Sequence, residues 1–372
     1  MTNVQISKVL LTVIIPTKNR SAFLRRLLIY YAATGFDYKI IIADSSEKSH
    51  LDHNIETINT VNSKLDISHE FYEDTIVFKE KIFQSLFRIN TPYVVIGADD
   101  DFFVPNTIEL AINFLENNPD YSMISGEPLI FYLDSSKSHG RIQFLGGYPQ
   151  NSIEDDDPCS RLTKHLSNVT STWYSIYRTK QLMEYWKIMR LSNFDTIFIE
   201  LVPSCLSMIQ GKFKKLDNLY MVRQYNAPRE YSLIGSKIEW ASDPSFESQF
   251  ILFREKLCES LLLKCKIDMN TAKKMVNKSF LLFMLPTICG EYKKELKESQ
   301  IQKRDPISTI SFLITNHNII NKLQYLKVHS GLDWLINKYR IYKLCRRSSR
   351  FYHDLKPIIE SIEDERSVEA DE

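Results

Sequence analysis

Glycine is scarce in this chain, ten among 372 residues. Neither a glycine-rich phosphate loop nor a flexible linker is therefore expected. Cysteine is sparse and scattered, six residues with no C-x-x-C pair. That spacing argues against zinc and against a disulfide framework, and it suits a reducing cytoplasm. Net charge is nearly absent, +1 at neutral pH, so no global field selects nucleic acid as a partner. Long apolar runs are missing as well. The first, Val9 to Ile15, is too short and wrongly flanked for a signal peptide, and no stretch reaches the roughly 20 apolar residues that span a bilayer. What remains is an ordinary composition, 44% hydrophobic and 25% charged, in a chain long enough for two domains.

The most informative stretch runs from Tyr93 to Pro105, Tyr-Val-Val-Ile-Gly-Ala-Asp-Asp-Asp-Phe-Phe-Val-Pro. Tyr93 to Ile96 reads as a buried strand. It ends in three carboxylates, which repel one another unless a cation or hydrogen-bond donors sit among them. Alternate residues of extended chain share a face, so Asp99 and Asp101 are expected to converge while Asp100 points elsewhere. Two such oxygen ligands suit Mg²⁺ or Mn²⁺. The plainer alternative is a solvated acidic turn before the helix that begins near Pro105.

Upstream, Val9 to Ile15 reads as a strand, followed by the polar turn Pro16-Thr17-Lys18-Asn19-Arg20. Ser21 suits an N-cap for a helix over 22–34. Lys39 to Ala43 is a second apolar strand, ending in Asp44-Ser45-Ser46. Strand, helix and strand make a parallel βαβ unit, whose ligands bind at the carboxyl ends of the strands. Thr17, Lys18, Asn19, Arg20 and Asp44 would line that rim, joined by the carboxylates at 99–101 if their strand is parallel too.

Taken in order, Thr12-Val-Ile-Ile-Pro-Thr-Lys-Asn-Arg20, Ile40-Ile-Ile-Ala-Asp44-Ser-Ser and Thr91-Pro-Tyr-Val-Val-Ile-Gly-Ala-Asp-Asp-Asp101 resemble the N-terminal half of a family 2-type glycosyltransferase of GT-A fold. The resemblance covers roughly residues 9 to 225. It implies an α/β fold with a mixed, mostly parallel sheet flanked by helices. It places Pro16, Thr17, Asn19 and Arg20 near a nucleotide, usually of uridine or another pyrimidine, and Asp44 on its base. It makes Asp99 and Asp101 the metal ligands, with Asp100 near the sugar. Relatives often carry an acid where this chain has Ala98. In the helix opening at Phe78, Lys81 falls near the arginine of an Arg-Asn pair that relatives often carry and could face the phosphates; a solvated lysine is the alternative.

Further on, Tyr121 to Tyr132 reads as strand. Glu154 to Asp157 precede a helix, whose dipole such carboxylates favour. Ser171 to Arg178 alternates like a strand, with Trp173 assigned to an acceptor pocket and Tyr177 to the core. From Glu200 an apolar helical run continues to Gly211, a natural C-terminal glycine. Counting back from that glycine, as the resembled family's helix does, makes Glu200 the general base that an inverting transfer needs. Asp195 is the second choice, and a helix-capping or lysine-paired Glu200 is the alternative to both. Lys212 to Tyr225 reads as an edge strand or two short ones. Relatives often end it with a histidine; here Arg223 stands in that region and could grip a diphosphate in bidentate fashion.

From about Pro244 apolar residues recur at helical intervals, including 310–326, which sets a catalytic domain over 1–240 and an all-helical one over 241–372. His317 reads as structural. The basic, aromatic stretch Lys338 to Arg350 could lie on an anionic membrane surface, on the inner face, which would suit a lipid-linked acceptor. The expectation is thus a cytoplasmic, metal-assisted enzyme that moves a sugar from a nucleotide-sugar, UDP-linked for preference, to a glycan or lipid-linked hydroxyl. Its products would serve surface glycan or polysaccharide synthesis, and a homo-oligomer is compatible with it. A sugar nucleotidyltransferase, disfavoured by the missing glycines after the first strand, and a non-catalytic carbohydrate-binding protein are the alternatives.

Overall fold

Leu11–Thr17 forms β1, and its alternate side chains enter two different cores. Leu11, Val13 and Ile15 face one, and Ile14 the other. A strand covered on both faces must be apolar throughout, which is why this run, β2 (Lys39–Asp44) and β4 (Tyr93–Ile96) stand out. Each fully buried aliphatic side chain contributes about 1.5–3 kcal/mol. The computed structural model describes residues 10–169, 172–228, 237–301 and 332–364.

β1 pairs in parallel with β2 on one side and β4 on the other, and β2 pairs in parallel with β3 (Ile67–Phe71). Helices α1 (Ser21–Thr34), α2 (Lys48–Val61) and α3 (Phe78–Phe87) make the connections. After β4 come β5 (Asp101–Phe103), α4 (Pro105–Asn117), β6 (Tyr121–Leu133) and β7 (Ile142–Gly147). Then follow α5 (Pro158–Ser167), β8 (Ile176–Arg178), α6 (Thr179–Arg190), α7 (Thr196–Gln210) and β9 (Lys212–Gln224). Among the described residues the strands lie in the order β3-β2-β1-β4-β8-β6-β9-β5, with β7 on β6. The sheet is mixed: its first half is parallel, and its second half alternates around the long β6.

Four details differ from the sequence expectation. Ser21 is the first helical residue rather than the cap; Arg20 precedes the helix, and its carbonyl accepts from Phe23 and Leu24. Of the described part of the alternating stretch, 172–178, only Ile176–Arg178 is strand. β9 is no edge strand, since β6 flanks it on one side and β5 covers residues 221–223 on the other. Finally, α2 and β3 were not anticipated. The buried face of α2 mixes Ile58 and Val61 with Asn54 and Thr57, and β3 carries Ser68, His69 and Glu70.

The C-terminal region is helical where described: α8 (Lys237–Ala241), α9 (Phe246–Lys264), α10 (Met269–Ile301), α11 (Leu332–Cys345) and α12 (Tyr352–Glu363). These helices divide between the two cores. Phe253 and Leu257 of α9 and Phe280 of α10 join α5 and α7 on one face. Leu355, Ile358 and Ile362 of α12 pack with Leu24 and Leu28 of α1 on the other. The expected apolar run over 310–326 and His317 lie outside the described residues. No described helix is long and apolar enough to cross a membrane.

His165 of α5 shows how completely the second core excludes water. The Ser204 hydroxyl donates to the Leu201 carbonyl, so its oxygen is left to accept from His165 Nε2 at 3.0 Å. Burial lowers the imidazole pKa from 6.5 to about 4. The unfolded chain takes up a proton near 6.5, whereas the folded one resists until about 4. Stability is therefore whole above pH 6.5 and falls as pH drops toward 4, by on the order of 3 kcal/mol across that window. Urea unfolding at stepped pH should show this acid limb, and His165→Gln should flatten it. An unchanged slope in that variant would assign the acid sensitivity elsewhere.

Candidate active site

β4 stays paired with β1 to its last residue, where the Gly97 amide donates to the Ile14 carbonyl at 2.8 Å. The chain then leaves extended geometry. Asp99 and Asp100 form a turn, and Asp101 opens β5. Strand alternation does not carry through a turn, so the expected convergence of Asp99 and Asp101 on one ion is not found. Asp99 faces β1: it accepts from Thr17 Oγ1 and from Arg20 Nε, both at 2.8 Å. Asp100 shares that arginine, 2.7 Å from its Nη2. Asp101 lies opposite Arg223 in the β5–β9 ladder and accepts from Arg223 Nε at 3.1 Å and from the Gln224 amide at 3.2 Å. The pair sharing a partner is Asp99 and Asp100.

Behind the turn lies Arg26 of α1, which sequence reasoning missed. It is 1% exposed. Its Nη2 donates to the Asp100 carbonyl at 3.0 Å, and its Nη1 to Gln224 Oε1 at 2.7 Å and to the Ser138 carbonyl. The guanidinium lies 4.8 Å from the centre of the Phe102 ring. Burial lowers its pKa to about 10, against the pull of Asp100, Asp101 and Asp99, so it stays charged at neutral pH. One sequence signal was present: Arg26 falls three and four residues from Phe23 and Tyr30, on a face that is otherwise apolar.

Burial likewise raises the Asp99 carboxyl to about 6 against the pull of Arg20, and the Asp100 charge adds to the rise. Asp101 rises to about 6 for the same reason, against Arg223. Burial also works against the Arg20 charge, but Asp99 and Asp100 outweigh it and hold that guanidinium above its usual range.

The rim residues at the ends of β1 and β2 are tied together by their own hydrogen bonds. Asn19 adopts φ 54°, a left-handed conformation that asparagine tolerates better than most residues. Its amide donates to Ser46 Oγ at 2.9 Å, and its side chain accepts from the Glu47 amide at 2.8 Å. Pro16 stands opposite Ala43, and Thr17 opposite Asp44. Asp44 is 1% exposed and accepts from the Ser46 amide, Asn54 and His69. Burial raises its pKa, but the bonds from His69, Ser46 and Asn54 together hold it below the usual range. Lys81 is buried as well, donating to the Thr17 carbonyl at 3.0 Å and to Ser45 Oγ at 2.8 Å. Asp44 and Lys81 thus brace the two loops from beneath.

On the far side of the turn, Arg223 Nη2 donates to the Tyr174 hydroxyl at 2.9 Å. Burial is the main reason that this hydroxyl is held far above its ordinary range, and the charges of Asp101, Asp100 and Glu200 add to the effect. Glu200 therefore lies within electrostatic reach of the same tyrosine as Arg223, on the exposed side of α7. Asp195 has other work. Its Oδ1 caps α7 by accepting from the Ile197 and Phe198 amides, and its Oδ2 accepts from Trp240 Nε1 at 2.7 Å. Both oxygens are engaged in holding the helix start against α8, so Asp195 is poorly placed to take a proton. Trp173 sits half-buried between Phe78 and Trp186, and Tyr177 is core.

A divalent ion between Asp99 and Asp101 does not fit these donor sets. Every oxygen of the two carboxylates already accepts a hydrogen bond, those of Asp99 from Thr17 and Arg20 and those of Asp101 from Arg223 and Gln224. Among the described residues, one group of three or more acid, histidine or cysteine ligand atoms lies within 4.8 Å of one another: Asp157, Cys159 and Cys265. There the two sulfurs are 3.6 Å apart, and Asp157 caps α5. Clefts of about 350 Å³ at Phe83 and Arg190 and about 210 Å³ at Cys345 and Tyr352 are not lined by the acidic turn.

No family model matches the chain. No curated protein matches it either. Among solved structures it is similar to residues 1–349 of S. aureus TarS in complex with UDP, at 12% identity over 97% of this chain and 92% of that one, TM-score 0.46. The complex of the same protein with UDP-GlcNAc gives 15% identity, 73% and 71% coverage and a TM-score of 0.47. The mannosyltransferase PcManGT from Pyrobaculum calidifontis, in complex with GDP-Man and Mn²⁺, gives 13% identity, 89% and 86% coverage and a TM-score of 0.43. All three likenesses are remote.

Proposed function

We propose that this chain is a glycosyltransferase that moves a sugar from a nucleoside diphosphate sugar to an acceptor hydroxyl with inversion at the transferred carbon. One observation carries the reading. Thr17, Arg20, Asp99, Asp100, Asp101 and Arg223 form hydrogen-bonded pairs around a single turn at the carboxyl edge of the parallel strands, which is where open α/β sheets bind their ligands. The nucleotide would lie along Pro16 to Arg20, with Asp44 and Lys81 holding those loops in place. Asp100, less buried than its neighbours, is the acid for the sugar hydroxyls.

Glu200 removes the acceptor's proton as the hydroxyl attacks. Arg20 and Arg223 stabilise the charge that develops on the departing diphosphate, where preorganised cations act most strongly. The catalytic part would fall within 1–240. The acceptor is a glycan or a lipid-linked hydroxyl of surface polysaccharide synthesis. The Lys338 to Arg350 stretch would touch the cytoplasmic face of a membrane carrying that acceptor. A uridine nucleotide is the favoured donor.

Incubation with UDP-, CDP- and GDP-sugars tests the reading. Slow release of a nucleoside diphosphate, fastest with a UDP-sugar, is the expected result. Release of pyrophosphate would make the chain a nucleotidyltransferase, and binding without turnover would make it a carbohydrate-binding protein.

A further inference from the structure

We propose that Arg20 and Arg223 take the place of a divalent ion in gripping the donor's diphosphate, with Asp99, Asp100 and Asp101 serving as their counter-ions; the proposal rests on the sugar-transfer reading above. The exposure pattern points this way. The side chains of Arg20 and Arg223 are 18% and 22% exposed, whereas those of Asp99 and Asp101 are 5% and 2%. What the turn offers an incoming ligand is the two guanidiniums and the Asp100 carboxylate, 15% exposed, while the Asp99 and Asp101 carboxylates sit behind them. A metal cage needs the reverse, with carboxylate oxygens facing the opening.

The hydrogen bonds agree. Arg20 spans Asp99 and Asp100, so an ion reaching Asp99 must displace both a guanidinium and the Thr17 hydroxyl. It would also leave the displaced arginine beside a like charge. Asp101 keeps one oxygen on the Gln224 amide and gives the other to Arg223. The third cation, Arg26, presses on the Asp100 carbonyl from below. Three guanidiniums thus already balance three carboxylates before any ion arrives. A planar guanidinium matches two phosphate oxygens at once. An arginine exchanging an aspartate for a phosphate stays paired throughout, so no buried charge is stranded during donor entry or departure.

The test is calorimetric titration of UDP and of GDP into the full chain, once in EDTA and once with excess Mn²⁺. The tighter nucleotide should bind in both, with dissociation constants within about threefold of each other. Titrating Mn²⁺ alone should give no heat of binding. Arg20→Lys, which keeps the charge but loses the fork, should weaken nucleotide binding by about tenfold or more in either buffer; circular dichroism checks that it folds. Nucleotide binding that appears only with Mn²⁺, or Mn²⁺ binding to the free protein, would overturn the proposal and leave the sugar-transfer reading intact. Binding of neither nucleotide in either buffer would overturn both.

Discussion

Glu200→Gln is expected to lower transfer by about 10²–10⁴-fold, the usual contribution of a positioned general base. Glutamine keeps the shape of the side chain and removes its capacity to accept a full proton. Glu200 lies on the exposed side of α7, while the buried face of that helix is formed by Phe198, Leu201, Val202 and Cys205. The fold should therefore be unaffected, and the loss should appear in kcat with the donor KM unchanged. Asp195→Asn should behave differently. It weakens the cap of α7 and the bond to Trp240, so its loss should appear in stability before it appears in kcat. Undiminished kcat in Glu200→Gln would remove this residue from the mechanism.

The second large effect is structural. Arg26→Met fills nearly the same space but leaves the Asp100 carbonyl, Gln224 Oε1 and the Ser138 carbonyl without their donor. It also removes the positive charge that faces three aspartates from within the core. Breaking one side of a buried charged network costs on the order of 3–5 kcal/mol. Urea unfolding should show a loss of that size, and nucleotide binding should weaken in parallel because the turn at 99–101 loses its support. Arg26→Lys should fall between, since one ammonium cannot reach all three acceptors. A stability change below about 1 kcal/mol in Arg26→Met would mean that the turn holds itself.

Much of the architecture could be read in advance. β1, β2 and β4 announced themselves because burial on both faces demands uninterrupted aliphatic runs. The parallel βαβ start followed from their spacing, and with it the placement of Thr17 and Asp44 at strand ends and of Asp99 just beyond β4. The half-polar elements were the ones missed. α2 and β3 bury little aliphatic surface, and β9 looks like an edge because Lys212, Lys214 and Lys215 sit on it. Those lysines instead pair with Glu154, Asp156 and Glu127 around the sheet's rim.

By itself the sequence determined which residues would gather at the carboxyl ends of the strands, because hydrophobic periodicity decides where strands begin and stop. How those residues pair with one another came from the folded chain. The turn after Gly97 rotates Asp99 toward Arg20 and hands Asp101 to Arg223, which is 122 positions away along the chain. Arg26 reaches Gln224 across 198 positions. Such pairings depend on sheet register and on one local turn, and neither leaves a periodic trace in the chain.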